Sequence, residues 1–247
     1  MKPGDRVEVT LRHEEATPLS RDRLLHLDAL VIAVNKPAGV SAQEDLAGGP
    51  ALPDLCSALL ADLGEKETQA LLVHRLDRGT TGVTLLARTR KAQAALLEEF
   101  REHRVAKEYR ALVAGAPAND EGTIDLALGP SERGLRKPDL AGEPARTTWR
   151  VLERYAGASL VATFPETGRT HQIRVHLKML GCPLLGDPRY GGPSFVARPD
   201  GSRLDFAHPL LHALSLSLRH PGGARLNVAA PSPEEFEAAR TFLSGSR

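Results

Sequence analysis

The chain has 247 residues, 41% of them apolar and 26% charged, which is enough for one sizeable core and excludes disordered, collagen-like and coiled-coil classes. Its 32 Lys and Arg stand against 31 Asp and Glu, so the net charge of +1 does not by itself announce a nucleic-acid binder. Cys56 and Cys182 form no disulfide framework or C-x-x-C pair, no apolar run reaches the roughly 20 residues of a membrane span, and the first residues lack a signal core, so a soluble cytoplasmic protein is expected.

In chain order, Leu30–Val34 is a β-branched run followed by Asn35-Lys36-Pro37-Ala38-Gly39, which reads as strand then turn. Pro53 suits the first position of a helix in which Leu55, Leu59, Leu60 and Leu63 recur at the helical period before Gly64 ends it. Ala70–Val73 and Val83–Ala87 read as buried strands. The polar loop between them, His74-Arg75-Leu76-Asp77-Arg78-Gly79-Thr80-Thr81-Gly82, is a good place for chemistry. Thr89 caps a helix expected over 90–103, with Ala92, Ala95, Leu96 and Phe100 inward and Lys91, Arg101 and Arg104 outward, and Tyr109–Val113 returns to strand.

Residues 115–146, rich in Gly, Pro and charge with one strand candidate near Ile124–Leu128, read as a long surface insertion or flexible loop whose ordering would wait on binding. Strands near Thr147–Tyr155 and Ser159–Phe164 lead to a helix over Thr170–Leu180 that stops at Gly181. Leu214–Leu218 and Leu226–Ala229 form a hairpin pair joined by His220-Pro221-Gly222-Gly223. Ser232-Pro233-Glu234-Glu235 opens a last helix as a capping box, with Phe236, Ala239, Phe242 and Leu243 as its buried stripe. Many short strands among four helical patterns predict an α+β (mixed α/β) domain with a largely antiparallel mixed sheet and flanking helices.

The charge is segregated along the chain. Residues 1–65 carry −5, whereas 66–110 carry +4 and 166–190 carry +2. Local clustering governs attraction to phosphate, so the middle segments matter more than the total. In the first of them, Asp77 lies beside two potential cations. Paired with Arg75, Arg78 or a distant arginine it can stay ionised as a nucleophile; taken alone, the tetrapeptide favours an Asx cap on the Gly79–Gly82 turn. In the second, Arg169, His171, Arg174 and His176 crowd a loop-to-helix junction whose unpaired N–H groups favour anions. The spacing of His171 and His176, with no Glu between them, argues against zinc. Phosphate-loop, dinucleotide and G-x-S-x-G signatures do not occur, so nucleotide hydrolysis, dinucleotide chemistry and α/β-hydrolase chemistry lose support.

Taken together, Asn35–Gly39, His74–Gly82, Lys107-Glu108-Tyr109, Gly168–Leu177, Gly186-Asp187-x-x-Tyr190-Gly191 and Leu211-His212-Ala213 resemble, in order and spacing, the motifs of the RluA-type family of RNA pseudouridine synthases. Thr81 stands where Ser is usual and keeps the hydroxyl. The resemblance implies the pseudouridine synthase catalytic-domain fold with a central catalytic cleft. It implies an isomerase, needing neither cofactor nor metal, that detaches uracil from ribose within RNA and rejoins it through a ring carbon. Asp77 would be the nucleophile, Tyr109 would stack on the uracil and assist proton removal, and Arg174 would pair with Asp77. Arg75 would fill the gap left by the flipped base, Leu76 and Ile173 would wall the pocket, and Arg169 and His171 would lie on the substrate side. His74, His171, His176 and His212 are left as structural or hydrogen-bonding residues, since nothing in this chemistry requires a histidine base.

The implied partner is structured RNA, a ribosomal or transfer RNA stem-loop; no membrane and no nucleotide cofactor is expected, and a monomer is. Residues 1–18 are read as an N-terminal remnant or extension, since Pro3–Val9 resembles the last strand of the family's RNA-binding domain, and 19–247 as the catalytic domain. Two other classes remain at this point. One is a non-catalytic RNA-binding or ribosome-assembly factor on the same fold; the other is a nucleoside or glycoside hydrolase, in which Glu166 would manage the water.

Overall fold

The computed structural model describes residues 19–43 and 50–245; the N-terminal remnant or extension expected over 1–18 lies outside the described residues. Ten strands form one sheet. Its spatial order is β1 (Leu24–Leu27), β2 (Val31–Lys36), β4 (Thr81–Ala87), β13 (Leu211–Arg219), β5 (Ala106–Ala114), β10 (Ala158–Pro165), β9 (Arg146–Tyr155) and β6 (Glu121–Asp125). β3 (Leu71–Leu72) adds to β4, and β14 (Arg225–Ala229) adds to β13. Two small two-stranded sheets stand apart, β7 (Leu128–Pro130) with β8 (Arg136–Pro138) and β11 (Phe195–Ala197) with β12 (Arg203–Asp205). The helices are α1 (Leu52–Asp62), α2 (Arg90–Arg101), α3 (Gln172–Met179) and α4 (Glu234–Ser244).

Strand alternation explains how the sheet is covered. Val31 and Ala33 of β2 and Val83, Leu85 and Ala87 of β4 pack with Ala92 and Leu96 of α2, while Ile32, Val34 and Leu86 pack with Leu52, Leu55, Leu59 and Leu60 of α1. Both faces of these strands are buried, so they read as continuous apolar runs. In the other half, Ala111, Val113 and Val161 meet Ile173 and Leu177 of α3, and Leu112 and Leu160 meet Phe236, Ala239 and Leu243 of α4.

The halves join where β4 runs parallel to β13, the one parallel pair among the described strands. Gly82 makes that junction possible: its φ is +114°, and a Cβ there would lie 2.2 Å from the Ala213 carbonyl oxygen. The chain therefore leaves the Asp77 loop directly into the middle of the sheet.

Four expectations are corrected. Residues 115–146 are not a flexible loop: β6 extends the main sheet beside β9, β7 and β8 pair, and Leu128 is buried with Ala145, Val175 and Tyr190. Each strand there is three to five residues long, too short for periodicity to stand out against Gly and Pro. Ala95 faces solvent on α2. The expected cap of α4 does not form, because Pro233 is the N-cap and makes no side-chain cap bond. Phe242 is only half-buried, lying under the Arg198 guanidinium at 4.1 Å. Thr89, by contrast, caps α2 as expected, accepting the Ala92 N–H at 3.1 Å.

Asp28, between β1 and β2, ties that turn to the one that follows β13. Its Oδ1 accepts the Leu30 and Val31 N–H groups, and its Oδ2 faces Nε2 of His26 at 2.8 Å and of His220 at 3.0 Å. The Gly222 N–H donates to Nδ1 of His220, which puts that ring's proton on Nε2, toward Asp28. A metal ligand would instead present a lone pair there; His26 hydrogen-bonds Asp28, while His220 lies at ion-pair distance from it without making a hydrogen bond.

Candidate active site

The loop between β3 and β4 is fastened from below. Lys36 is fully buried, and its Nζ donates to the carbonyl oxygens of Pro37 (3.0 Å), Val40 (2.8 Å) and Arg78 (3.2 Å). Three donors meet three acceptors, so the ammonium is satisfied without a carboxylate. Burial still pulls its pKa down to about 7, against the nearby Asp77 charge, which pushes it up. The Gly39 N–H donates to the Arg78 carbonyl (2.9 Å) and Arg78 Nε to the Gly39 carbonyl (2.8 Å), so the turn after β2 and the Asp77 loop brace each other.

On this base the turn over Gly79–Gly82 is closed by main chain, with the Thr80 N–H donating to the Asp77 carbonyl at 3.0 Å. The Asx cap favoured by the tetrapeptide is therefore not what closes the turn, because the carboxylate points away to α3. Its Oδ2 accepts from Nη1 of Arg174 at 3.1 Å and lies 3.9 Å from Nε2 of His171.

Arg174 is itself buried. Its Nε and Nη2 both donate to Asp187, each at 2.8 Å, in a two-pronged pair whose carboxylate is 1% exposed. Burial works against the guanidinium's charge, but Asp187 and Asp77 outweigh it and raise its pKa. The guanidinium also lies 4.8 Å over the Tyr190 ring.

A cleft of about 540 Å³ opens in front of Asp77, within the range of sites that enclose small ligands. Leu76 and Ile173, both buried, wall it, and Tyr109 and Lys107 line it from β5. Burial, with Asp77 adding, pushes the Tyr109 phenol well above its ordinary pKa, so the ring presents a neutral hydroxyl. Lys107 donates to the Thr167 carbonyl at 2.9 Å, and burial lowers its pKa to about 8. Arg75 is exposed and crosses the rim to Thr170 Oγ1 at 2.6 Å. Arg169 lines the same cleft while pairing with Glu143 at 3.2 Å.

The second motif divides at the start of α3. The helix opens at Gln172, two residues later than expected, because His171 takes a left-handed conformation with φ of +57°. Arg169, His171 and Arg174 reach the cleft, whereas His176 is turned into the core, its Nε2 donating to the Leu126 carbonyl at 3.1 Å. The expectation of one anion site formed by all four side chains is corrected accordingly. His74 accepts the Leu85 N–H on Nε2 at 2.9 Å and stacks on Phe100, and His212 bridges Thr81 Oγ1 and the Ala230 carbonyl; both are structural.

All eight residues named from the sequence, Arg75, Leu76, Asp77, Tyr109, Arg169, His171, Ile173 and Arg174, line this one cleft. Lys36, Lys107, Asp187 and Tyr190 escaped individual notice. All four lie within the motifs, Lys107 on the same strand face as Tyr109, but nothing local reveals their partners. Glu166 is not among the lining residues and pairs with Arg146 at the surface. The arrangement offers one anchored carboxylate, a neutral phenol and a cationic rim.

A family model for RNA pseudouridylate synthase matches residues 30–179. An RNA pseudouridine synthase of Synechocystis is 35% identical over 263 residues, covering 98% of this chain and 76% of that protein. Ribosomal large subunit pseudouridine synthase D of Nitrosomonas europaea is 39% identical over 233 residues, covering 91% of this chain and 65% of that protein. Among solved structures, human RNA pseudouridylate synthase domain containing 4 superposes with a TM-score of 0.73 at 27% identity, covering 90% of this chain and 93% of that one. No helix among the described residues is long and apolar enough to cross a membrane.

Proposed function

The chain belongs to the RNA pseudouridylate synthase family, isomerases that act on RNA, and from that premise we propose that it converts one uridine of a structured RNA with Asp77 as nucleophile and the target base flipped into the cleft. The observation that carries the reading is the Asp77 carboxylate, held on Oδ2 by a buried arginine at the floor of a cleft that Tyr109 also lines. A carboxylate fixed through one oxygen can attack with the other. As the bond from Asp77 to the anomeric carbon forms, the glycosidic bond to uracil breaks and its electrons go to the base; elimination to a glycal-like intermediate is the alternative first step. The freed uracil turns and its C5 takes the anomeric carbon as Asp77 departs. The C5 proton then leaves while the former glycosidic nitrogen gains one.

Tyr109, kept protonated by its surroundings, stacks on the base and hydrogen-bonds as that proton is lost. Arg75 sits on the exposed rim, where a guanidinium can fill the gap left by an extruded nucleotide, a step that costs a few kcal/mol. Leu76 and Ile173 exclude water beside the sugar. The name of the Nitrosomonas relative favours ribosomal large-subunit RNA over transfer RNA as the substrate. A cytoplasmic monomer fits this work.

Pseudouridine mapping of total cellular RNA with and without the protein tests the reading. At least one site is expected to vanish in its absence and to return with wild type but not with Asp77→Asn. An unchanged map would refute it, and release of free uracil would favour the hydrolase.

A further inference from the structure

Tyr190 and His171 lie one behind the other beneath Asp77. The Tyr190 hydroxyl oxygen accepts the Arg136 N–H at 2.9 Å and is 2.8 Å from Nδ1 of His171. The opposite ring nitrogen, Nε2, is 3.9 Å from Oδ2 of Asp77. Two independent arguments fix the proton positions. The phenol oxygen accepts the Arg136 N–H, and among the described residues Nδ1 is the acceptor within reach of its own proton. A bare Nε2 lone pair aimed at a carboxylate would be repelled, whereas an Nε2–H is attracted.

We infer that His171 is a positioning residue: Tyr190 donates to Nδ1, this locks the imidazole with its proton on Nε2, and that N–H, beyond hydrogen-bond reach at 3.9 Å, biases Oδ2 of Asp77 electrostatically so that the other carboxylate oxygen faces the substrate. The assignment rests on the proposed role of Asp77 and adds to it the reason the ring is a histidine.

The backbone is consistent with a selected geometry. His171 has a φ of +57°, a conformation that side-chain-bearing residues adopt at a cost of about 1–3 kcal/mol and that clusters at working sites. The ring faces charges of both signs, Asp77 and Asp187 against Arg174 and Arg189, with Tyr190 behind it. Burial, aided by the two arginines, lowers its pKa, so the ring acts as a neutral donor and not as a second fixed cation beside Arg174. A neutral ring adds direction without competing for the carboxylate's charge.

The test uses the full-length protein labelled with ¹⁵N-histidine. In wild type at pH 6–8, His171 is expected to show an unprotonated Nδ1 and a protonated Nε2, with the Nε2 proton resonance moving in Asp77→Asn. Tyr190→Phe, checked for folding by its melting temperature, is expected to give a mixture of tautomers. On RNA, Tyr190→Phe and His171→Leu are expected to lower kcat about tenfold or more, as small misplacements of a reacting group do, with KM within about twofold of wild type. His171→Gln, which restores an N–H, is expected to exceed His171→Leu. A protonated Nδ1 in wild type, or a Tyr190→Phe enzyme with undiminished kcat, overturns the inference. If wild type makes no pseudouridine yet shows the assigned tautomer, the functional reading falls and the Tyr190–His171–Asp77 chain stands.

Discussion

Two acidic loops converge on one guanidinium, and they are built for different ends. Asp187, 1% exposed, takes two short bonds from Arg174 and is paired on both oxygens. Asp77, 25% exposed, takes one longer bond from the same side chain and opens to the cleft. The loop that carries Asp77 is secured by Lys36 through backbone carbonyls, so its position does not depend on its side chain being paired. Burial and full pairing make a carboxylate structural; a rigid loop with an under-used carboxylate makes a reactive one.

The largest effect expected from this contrast is on turnover. Asp77→Asn should reduce pseudouridine formation by about 10³-fold or more while leaving the melting temperature within a few degrees, since a part-exposed ion pair is worth about 1 kcal/mol or less. Large destabilisation would erase the distinction between the two loops. Asp187→Asn should do the reverse in kind: stranding part of a buried guanidinium costs about 3 kcal/mol, a fall of about 10 °C in melting temperature, read by calorimetry.

The fastening beneath the Asp77 loop has its own pH signature. Lys36 and Lys107 have folded-state pKa values of about 7 and about 8, below the ordinary 10.5, so between pH 7 and 9 the unfolded chain holds more protons than the folded one. Stability to urea should therefore rise across that window, by about 4 kcal/mol if both lysines contribute in full, and Lys36→Met should remove more than half of the rise. A wild-type profile that falls from pH 7 to 9 would contradict the assignment.

Smaller again, Arg75→Ala should cost about tenfold in turnover without altering the fold, because it acts only where a base must be displaced. Glu143→Ala, breaking a half-exposed pair with Arg169, should cost less than about 1 kcal/mol in denaturant titration.

Much of the cleft was legible because its residues come in contiguous motifs: Arg75, Leu76 and Asp77 in one run, and Arg169, His171, Ile173 and Arg174 in another. The long strands and all four helices were legible for the same reason, since their periodicity is local. The near-zero net charge was misleading as a total, and the basic blocks at 66–110 and 166–190 are the segments that supply most of the cleft. What escaped notice was whatever depended on a partner far along the chain. Nothing in Gly186-Asp187 says that its carboxylate will saturate Arg174, and β7 and β8 were hidden because each is three residues long and is held by Val175 and Tyr190 from elsewhere.

By itself, then, the sequence determined the long strands and the helices, the nucleophile candidate and the family, because these reside in short-range pattern. The tertiary structure alone decided that Asp77 opens to a cleft while Asp187 is sealed, that His176 turns inward while His171 faces the carboxylate, and that 115–146 joins the sheet. Each of those outcomes rests on contacts between distant segments, such as the bond from Arg174 to Asp77 across 97 positions, whose geometry only the packed core fixes.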